Sequence, residues 1–274
     1  MLEDVKTKDL SLIKILSASF KIYTMNIKAI AVFTTLVYIP ILLLQRFVIV
    51  ESANSLFAFL GIEEGDDLSS ILTYLENVPI ELVPNIMHTA FIIGVAYVIM
   101  AVVFSPLIES GSTHLMIESI EDRQSSANNM MNTAISNIFK TFITMLLSLA
   151  CIAIGISLFV LPGIYLAVCF AFATPAVIMT GKWGFGALKE SFKVVSGRWF
   201  RALALILLSG LLAVMLTMFI QGVSLIILPQ NMIVEFIVSL FTGIFLTYFV
   251  MVECLWFINK YFVYSKNDKM ENRL

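Results

Sequence analysis

Charge is what this 274-residue chain has least of: Asp, Glu, Lys and Arg make up 13% of it, against 59% apolar residues, where an average soluble domain carries roughly a quarter charged. So few charges cannot coat a soluble surface of this size, which excludes an ordinary soluble enzyme. A formal net charge of −2 without a basic face excludes a nucleic-acid partner. Cysteine and histidine are equally sparse. Cys151, Cys169 and Cys254 lie inside apolar runs with no CxxC or Cys/His spacing, so they read as small core residues. His88 and His114 stand far apart without clustered acids. No metal and no cofactor is therefore expected. GxSxG, HExxH and a phosphate-cradling glycine loop are absent, so no enzyme is expected either. Gly181-Lys182-Trp183-Gly184-Phe185-Gly186 is glycine-rich but follows an apolar run rather than a strand; it reads as a flexible elbow.

What the chain has in abundance is long apolar runs. A bilayer core of about 30 Å needs about 20 helical residues, and six stretches qualify: 29–50, 82–108, 141–161, 164–180, 202–222 and 232–259. Thr141 to Gly181 holds no Lys, Arg, Asp or Glu, and Leu161-Pro162-Gly163 marks a turn inside it. The second hairpin turn is Leu228-Pro229-Gln230-Asn231. The runs are continuous and lack period-two alternation, so they predict helices, not a barrel. The expected fold class is all-α: a single polytopic membrane domain of six transmembrane helices over 1–274. Pro40, Pro106 and Pro175 fall in or at the ends of spans and predict kinks.

Basic residues orient the chain. Of its 17 Lys and Arg, all but Arg46 lie on one side: five in residues 1–28, Arg123 and Lys140 between spans two and three, five between spans four and five, and four in the 260–274 tail. The opposite loop, 51–85, has no Lys or Arg but holds Glu51, Glu63, Glu64, Asp66, Asp67, Glu76 and Glu81. Both termini are expected in the cytoplasm and the protein in the cell (inner) membrane, with no cleavable leader. Within the acidic loop, Asp67 is placed to cap a short helix carrying Leu68, Ile71, Leu72 and Leu75.

An internal repeat is legible before the odd-numbered spans. Ile13, Leu16, Phe20, Tyr23 and Ile27 recur at steps of three and four, as do Phe185, Leu188, Phe192, Val195 and Trp199. An offset of 172 superimposes the two and aligns Ser19-Phe20-Lys21-Ile22 with Ser191-Phe192-Lys193-Val194. A weaker middle copy, Met131, Ile135, Ile138 and Phe142, fits at an offset of 115. Ser105-Pro106 and Thr174-Pro175 echo each other after the even spans. The expectation is one unit used three times: an amphipathic interfacial helix (10–27, 128–142, 185–199), a span and a return span. Two spans per unit keep all copies in one orientation, a parallel repeat about an axis along the membrane normal.

Candidate site residues follow from position. Lys14, Lys21, Lys189, Lys193, Arg198 and Arg201 sit beside the apolar stripes or at a span entrance, where cationic side chains snorkel to the phosphate layer. They are candidate lipid-headgroup contacts. Glu109 and Glu253 lie near the basic ends of spans two and six, and a charge within a span is a site candidate. A Glu253–Arg201 or a Glu109–Arg198 pair, or simple solvation, would accommodate the boundary charge, and Glu235 and Arg46, near the opposite boundary, could likewise pair.

Leu161-Pro162-Gly163-Ile164-Tyr165, then Pro175, Gly186-Ala187-Leu188, Ser191, Gly197 and Arg198, together with the polar elbow Ser19 to Asn26, resemble the bacterial membrane domain that accompanies some glycerophosphoryl diester phosphodiesterases, and related six-span inner-membrane proteins. The resemblance covers most of the chain and is specific over residues 161–201. In the fused members a soluble phosphodiesterase domain follows the membrane part. Here about 15 residues follow span six, so the resemblance implies the membrane domain without the activity. The expected role is non-enzymatic: a scaffold or accessory protein that organises membrane lipids or a membrane or cytoplasmic protein partner. The alternative is a transporter or channel for a small solute through the repeat interface.

Overall fold

The computed structural model describes residues 2–60, 62, 78–229 and 231–271. It is all-α, and six of its helical stretches are long and apolar enough to cross a membrane: Ile27–Val50, Ile80–Ile120, Ala127–Leu158, Val160–Thr180, Trp199–Ile227 and Met232–Lys266. The protein is therefore a multi-pass helical membrane protein.

The chain opens with α1 (Leu2–Thr7) and α2 (Leu12–Met25). The first span is α3 (Ile27–Leu44), which widens into a π turn at Gln45–Val50 and continues as α4 (Glu51–Leu60). The short helix expected over 67–75 lies outside the described residues. The second span joins α5 (Val83–Ile99) to α6 (Ser105–Ile120) through a second π turn, Met100–Phe104. Pro106 accounts for that widening. It has no N–H for the carbonyl of Val102, one turn back, and its ring crowds that carbonyl.

The third span, α7 (Ala127–Leu158), is one unbroken helix of 32 residues. Its N-cap Ser126 accepts the Asn129 N–H at 3.2 Å. The 128–142 segment is thus no separate interfacial helix; it is the first half of this rod. The turn to the fourth span falls at Phe159, in extended conformation (φ −159°, ψ 143°), rather than at Leu161–Gly163. Pro162 instead sits in the first turn of α8 (Val160–Phe170), where its missing N–H has no partner to lose. Pro175 follows the same rule in the first turn of α9 (Ala173–Thr180), after a break at Phe172. Gly181 ends α9 at φ 69°, a left-handed cap that favours glycine. Then come α10 (Phe185–Ser196), the fifth span α11 (Trp199–Ile227) and α12 (Met232–Glu271), whose helix runs through the expected tail at 260–271 without stopping at Asn259.

The repeat is visible in burial. A shift of 172 carries the buried residues of α2 (Ile15, Ala18, Ser19, Ile22, Tyr23) onto buried residues of α10 (Ala187, Glu190, Ser191, Val194, Val195). It carries Ile30, Phe33 and Val37 of α3 onto Ala202, Leu205 and Ser209 of α11. The elbows coincide too: Asn26 (φ −114°, ψ 18°) maps onto Arg198 (φ −138°, ψ 26°), and both break the helix at the same place. In the middle unit, the offset of 115 matches Ser11 to the N-cap Ser126 and Ile15 to Met130. The buried Thr141, Thr144 and Ser148 match Ile30, Phe33 and Val37 only at 111. The difference of four residues is about one helical turn, and it accompanies a rod without an elbow.

The core lies at the basic end. There α6, α9 and the 251–260 stretch of α12 meet one another. Phe172 packs on Trp256 and Phe257 at ring distances of 5.1 and 5.7 Å, and Thr34 and Thr247 share a buried hydrogen bond at 3.1 Å. Gly111 lets the Phe33 ring lie on the α6 backbone: a Cβ there would stand 2.3 Å from it. Toward the other end Phe159, Leu161, Ile226 and Ile227 are exposed, as helix faces turned to lipid are.

Candidate functional site

The helix breaks place the charged side chains. Because α2 and α10 turn a buried stripe to the core, their opposite faces carry Lys14 and Lys21, and Lys189 and Lys193, all exposed. Each amphipathic segment presents an exposed phenylalanine followed by a lysine: Phe20-Lys21 on α2, Phe139-Lys140 on α7 and Phe192-Lys193 on α10. The middle pair escapes the offset of 115, because it lies one helical turn further along. Glu190 holds Lys182 at 2.8 Å and Lys193 at 3.6 Å. Burial pushes the Glu190 carboxyl up, but those two ammonium groups outweigh it and hold it below the usual carboxylate range.

Arg201 meets residues that the sequence alone did not single out. Lys260, only 1% exposed, donates to the Asp9 carboxylate, to the Leu10 carbonyl at 2.9 Å and to Asn259 Oδ1 at 3.2 Å. Asn259 Nδ2 donates to the carbonyls of Val5 and Lys8 at 2.7 and 2.8 Å, and its Oδ1 accepts the Leu10 N–H at 3.1 Å. Arg201 stands 3.7 Å from the other Asp9 oxygen. Burial raises Asp9; the hydrogen bond and charge of Lys260, with the fields of Arg198 and Arg201, bring it below its ordinary value. One sequence signal marks Lys260: it lies four residues after Trp256, so it continues the core-facing stripe of α12.

The pairs Glu253–Arg201 and Glu109–Arg198 do not form. Glu253 accepts a hydrogen bond from Ser209 on α11, and Arg201 turns to Asp9. Glu109 accepts from Ser105 at 3.2 Å, while its Oε2 is buried without a hydrogen-bond partner. The two acids are nonetheless brought near each other: Cys254, next to Glu253, lies 3.8 Å from the Glu109 carbonyl and accepts from Thr113 at 3.4 Å. Arg46 and Glu235 line one cleft of about 150 Å³ at the opposite end, and among the described residues no ion pair joins them. His114 pairs with Glu118 at 3.3 Å. No group of three metal-ligating side chains occurs among the described residues.

No protein-family model, curated protein or solved structure matches this chain. The class that the fold defines is a six-span, all-α membrane protein with its packed core at the basic end.

Proposed function

We propose that the protein is a non-enzymatic component of the cell's inner membrane that organises anionic phospholipid in the leaflet facing the cytoplasm, where both its ends lie. The observation that carries this reading is the exposed phenylalanine followed by a lysine on each of the three units, Phe20-Lys21, Phe139-Lys140 and Phe192-Lys193, with Lys21 and Lys193 exposed and Lys140 half-buried. An aromatic ring beside a snorkelling cation suits the boundary between acyl chains and headgroups, and roughly 1 kcal/mol of attraction to an anionic surface attends each such cation. Kinship with the phosphodiesterase-associated membrane domain belongs to the same proposal and rests on the 161–201 motif and the Ser19 to Asn26 elbow. Against the transporter reading stands the packed basic end, where Phe33 rests on Gly111 and Phe172 on Trp256 and Phe257.

The test is the lipid shell. Full-length protein extracted in nanodiscs from a membrane of mixed lipids should carry phosphatidylglycerol above its bulk share. The triple variant Lys21→Gln, Lys140→Gln, Lys193→Gln should lose most of that excess while keeping its thermal midpoint. A shell of bulk composition around the unaltered protein overturns the proposal.

A further inference from the structure

Two cavities at the basic end are built from the same three parts: the elbow of one unit, the end of that unit's return span, and the loop that caps the next unit. The first, about 630 Å³, lies between the elbow (Met25, Asn26, Lys28), Ser119 at the end of α6, and the Asp122–Ser125 loop, whose Asp122 puts one carboxylate in the wall as Asp9 does in the second. The second, about 560 Å³, lies between Arg201 just past the third elbow, Trp256 and Lys260 on α12, and the Asp9–Ser11 loop that leads into α2. Gln124 and Ser125 correspond to Asp9 and Leu10 at the offset of 115, so the second cavity is the first one repeated where unit three meets unit one. Both are ligand-sized.

The chemistry of their walls agrees. Each has one cation already engaged by a carboxylate, Arg123 by Glu121 and Lys260 by Asp9. Each has a second that is looser: Lys28 is exposed and joins no ion pair among the described residues, and Arg201 stands 3.7 Å from Asp9. Unused hydrogen-bonding capacity points the same way. Ser125 Oγ, in the first cavity, is buried without a partner. Ser11, in the second, makes no side-chain bond to the open amides of α2's first turn. Met25 and Ile27, or Leu12, Ile13 and Trp256, supply apolar wall beside the charges. Lys28 directly precedes the first apolar run and Arg201 lies in the first turn of α11, so both cavities open at headgroup depth. The third junction has no elbow, and there the Gly184 N–H donates directly to Thr144 Oγ1 at 2.8 Å.

We infer that each elbow cavity binds the phosphate headgroup of one anionic phospholipid, two per chain. The inference rests on the lipid reading above and narrows it to a site and a stoichiometry. Full-length protein in neutral detergent, delipidated and titrated with phosphatidylglycerol, should show two bound lipids by native mass spectrometry. Phosphatidylcholine should bind about tenfold more weakly, a difference of about 1.4 kcal/mol. Arg201→Gln should abolish one binding step, Lys28→Gln with Arg123→Gln the other, and all three together both. Arg201→Lys and Lys28→Arg should keep binding, which separates loss of charge from loss of fold. Any other stoichiometry, or two steps indifferent to these substitutions, overturns the inference. Equal occupancy by inorganic phosphate, or equal thermal stabilisation, overturns the lipid as the source of the phosphate. If the cavities fail while nanodiscs still gather phosphatidylglycerol, the broader reading stands alone. If the two steps persist while the shell is of bulk composition, the cavities stand and the broader reading falls.

Discussion

Asn259 closes the ring of units with one side chain, since its amide satisfies the Val5 and Lys8 carbonyls and the Leu10 N–H together. Asn259→Ala leaves these backbone groups without that partner, and each buried orphan costs about 1–3 kcal/mol. The expected outcome is a lower thermal midpoint with fast hydrogen exchange confined to residues 2–12. Exchange unchanged in that segment refutes the latch. Its neighbour Lys260 is bound to Asp9, whose carboxyl is held below its ordinary value. A lowered carboxylate stabilises the native state fully above the unfolded value of about 3.9 and loses that contribution as pH falls through the native value. Exchange in residues 2–12 should therefore be flat with pH, after correction for intrinsic rate, from 7 down to about 4, and rise below that. Asp9→Asn should expose the same segment already at neutral pH. The pairing is not legible in the sequence, because Asp9 and Lys260 are 251 positions apart; the four-residue step from Trp256 marks only the face of α12 on which Lys260 lies. Arg198 and Arg201 were legible as cations at a span entrance; that Arg201 turns toward Asp9 and not toward Glu253 depends on α1 and the loop after it docking on α12.

The helix hairpin α7–α8 depends on a close approach that only glycine permits. A Cβ on Gly163 would stand 2.7 Å from the Ile156 backbone nitrogen, and one on Gly155 would stand 3.0 Å from the Gly163 Cα. Backbone cannot step aside as a side-chain tip can, so Gly163→Ala should cost about 1–3 kcal/mol and Gly163→Leu should separate the helices. Thermal unfolding in detergent should rank wild type above Ala above Leu, whereas Gly222→Ala, where a Cβ meets nothing within 4 Å, should be neutral. A Gly163→Ala midpoint equal to wild type refutes the contact. The six spans themselves were readable, since lipid leaves a helix no water for its backbone and demands an unbroken apolar run. Their boundaries were less so. Pro162 breaks a helix interior but suits a first turn, so the same residue marks a break at either of two places a few residues apart, and the structure takes Phe159. The elbows at Asn26 and Arg198 were signalled by the offset of 172, while the unbroken α7 was not, because one turn's difference leaves the spacing of an apolar stripe unchanged.

Each unit crosses twice and returns to the side it left, so the order of units along the chain is separable from their arrangement in space. The first unit docks on the last through Asn259 and Lys260, as the second docks on the first where α7 packs on α3 and α6. The break in the chain between units three and one therefore falls at a junction of the same kind as the covalent link between units one and two. That link, Glu121 to Gln124, is exposed, and exposed loops are where chain breaks are tolerated. A circular permutant that begins at Gln124, with residues 271 and 2 joined by a flexible linker of about 20 residues, should insert and fold, because an even number of crossings precedes every new end and the basic flanks stay on one side. Cysteine probes at Ser55 and Ser126 should keep their opposite labelling by an impermeant maleimide, and the permutant should bind phosphatidylglycerol as the parent does. Retention of the opposite labelling with collapse of the thermal midpoint would show that the 2–12 latch needs a free chain end and is no equivalent of the other junctions; identical labelling of the two probes would overturn the two-crossing unit itself.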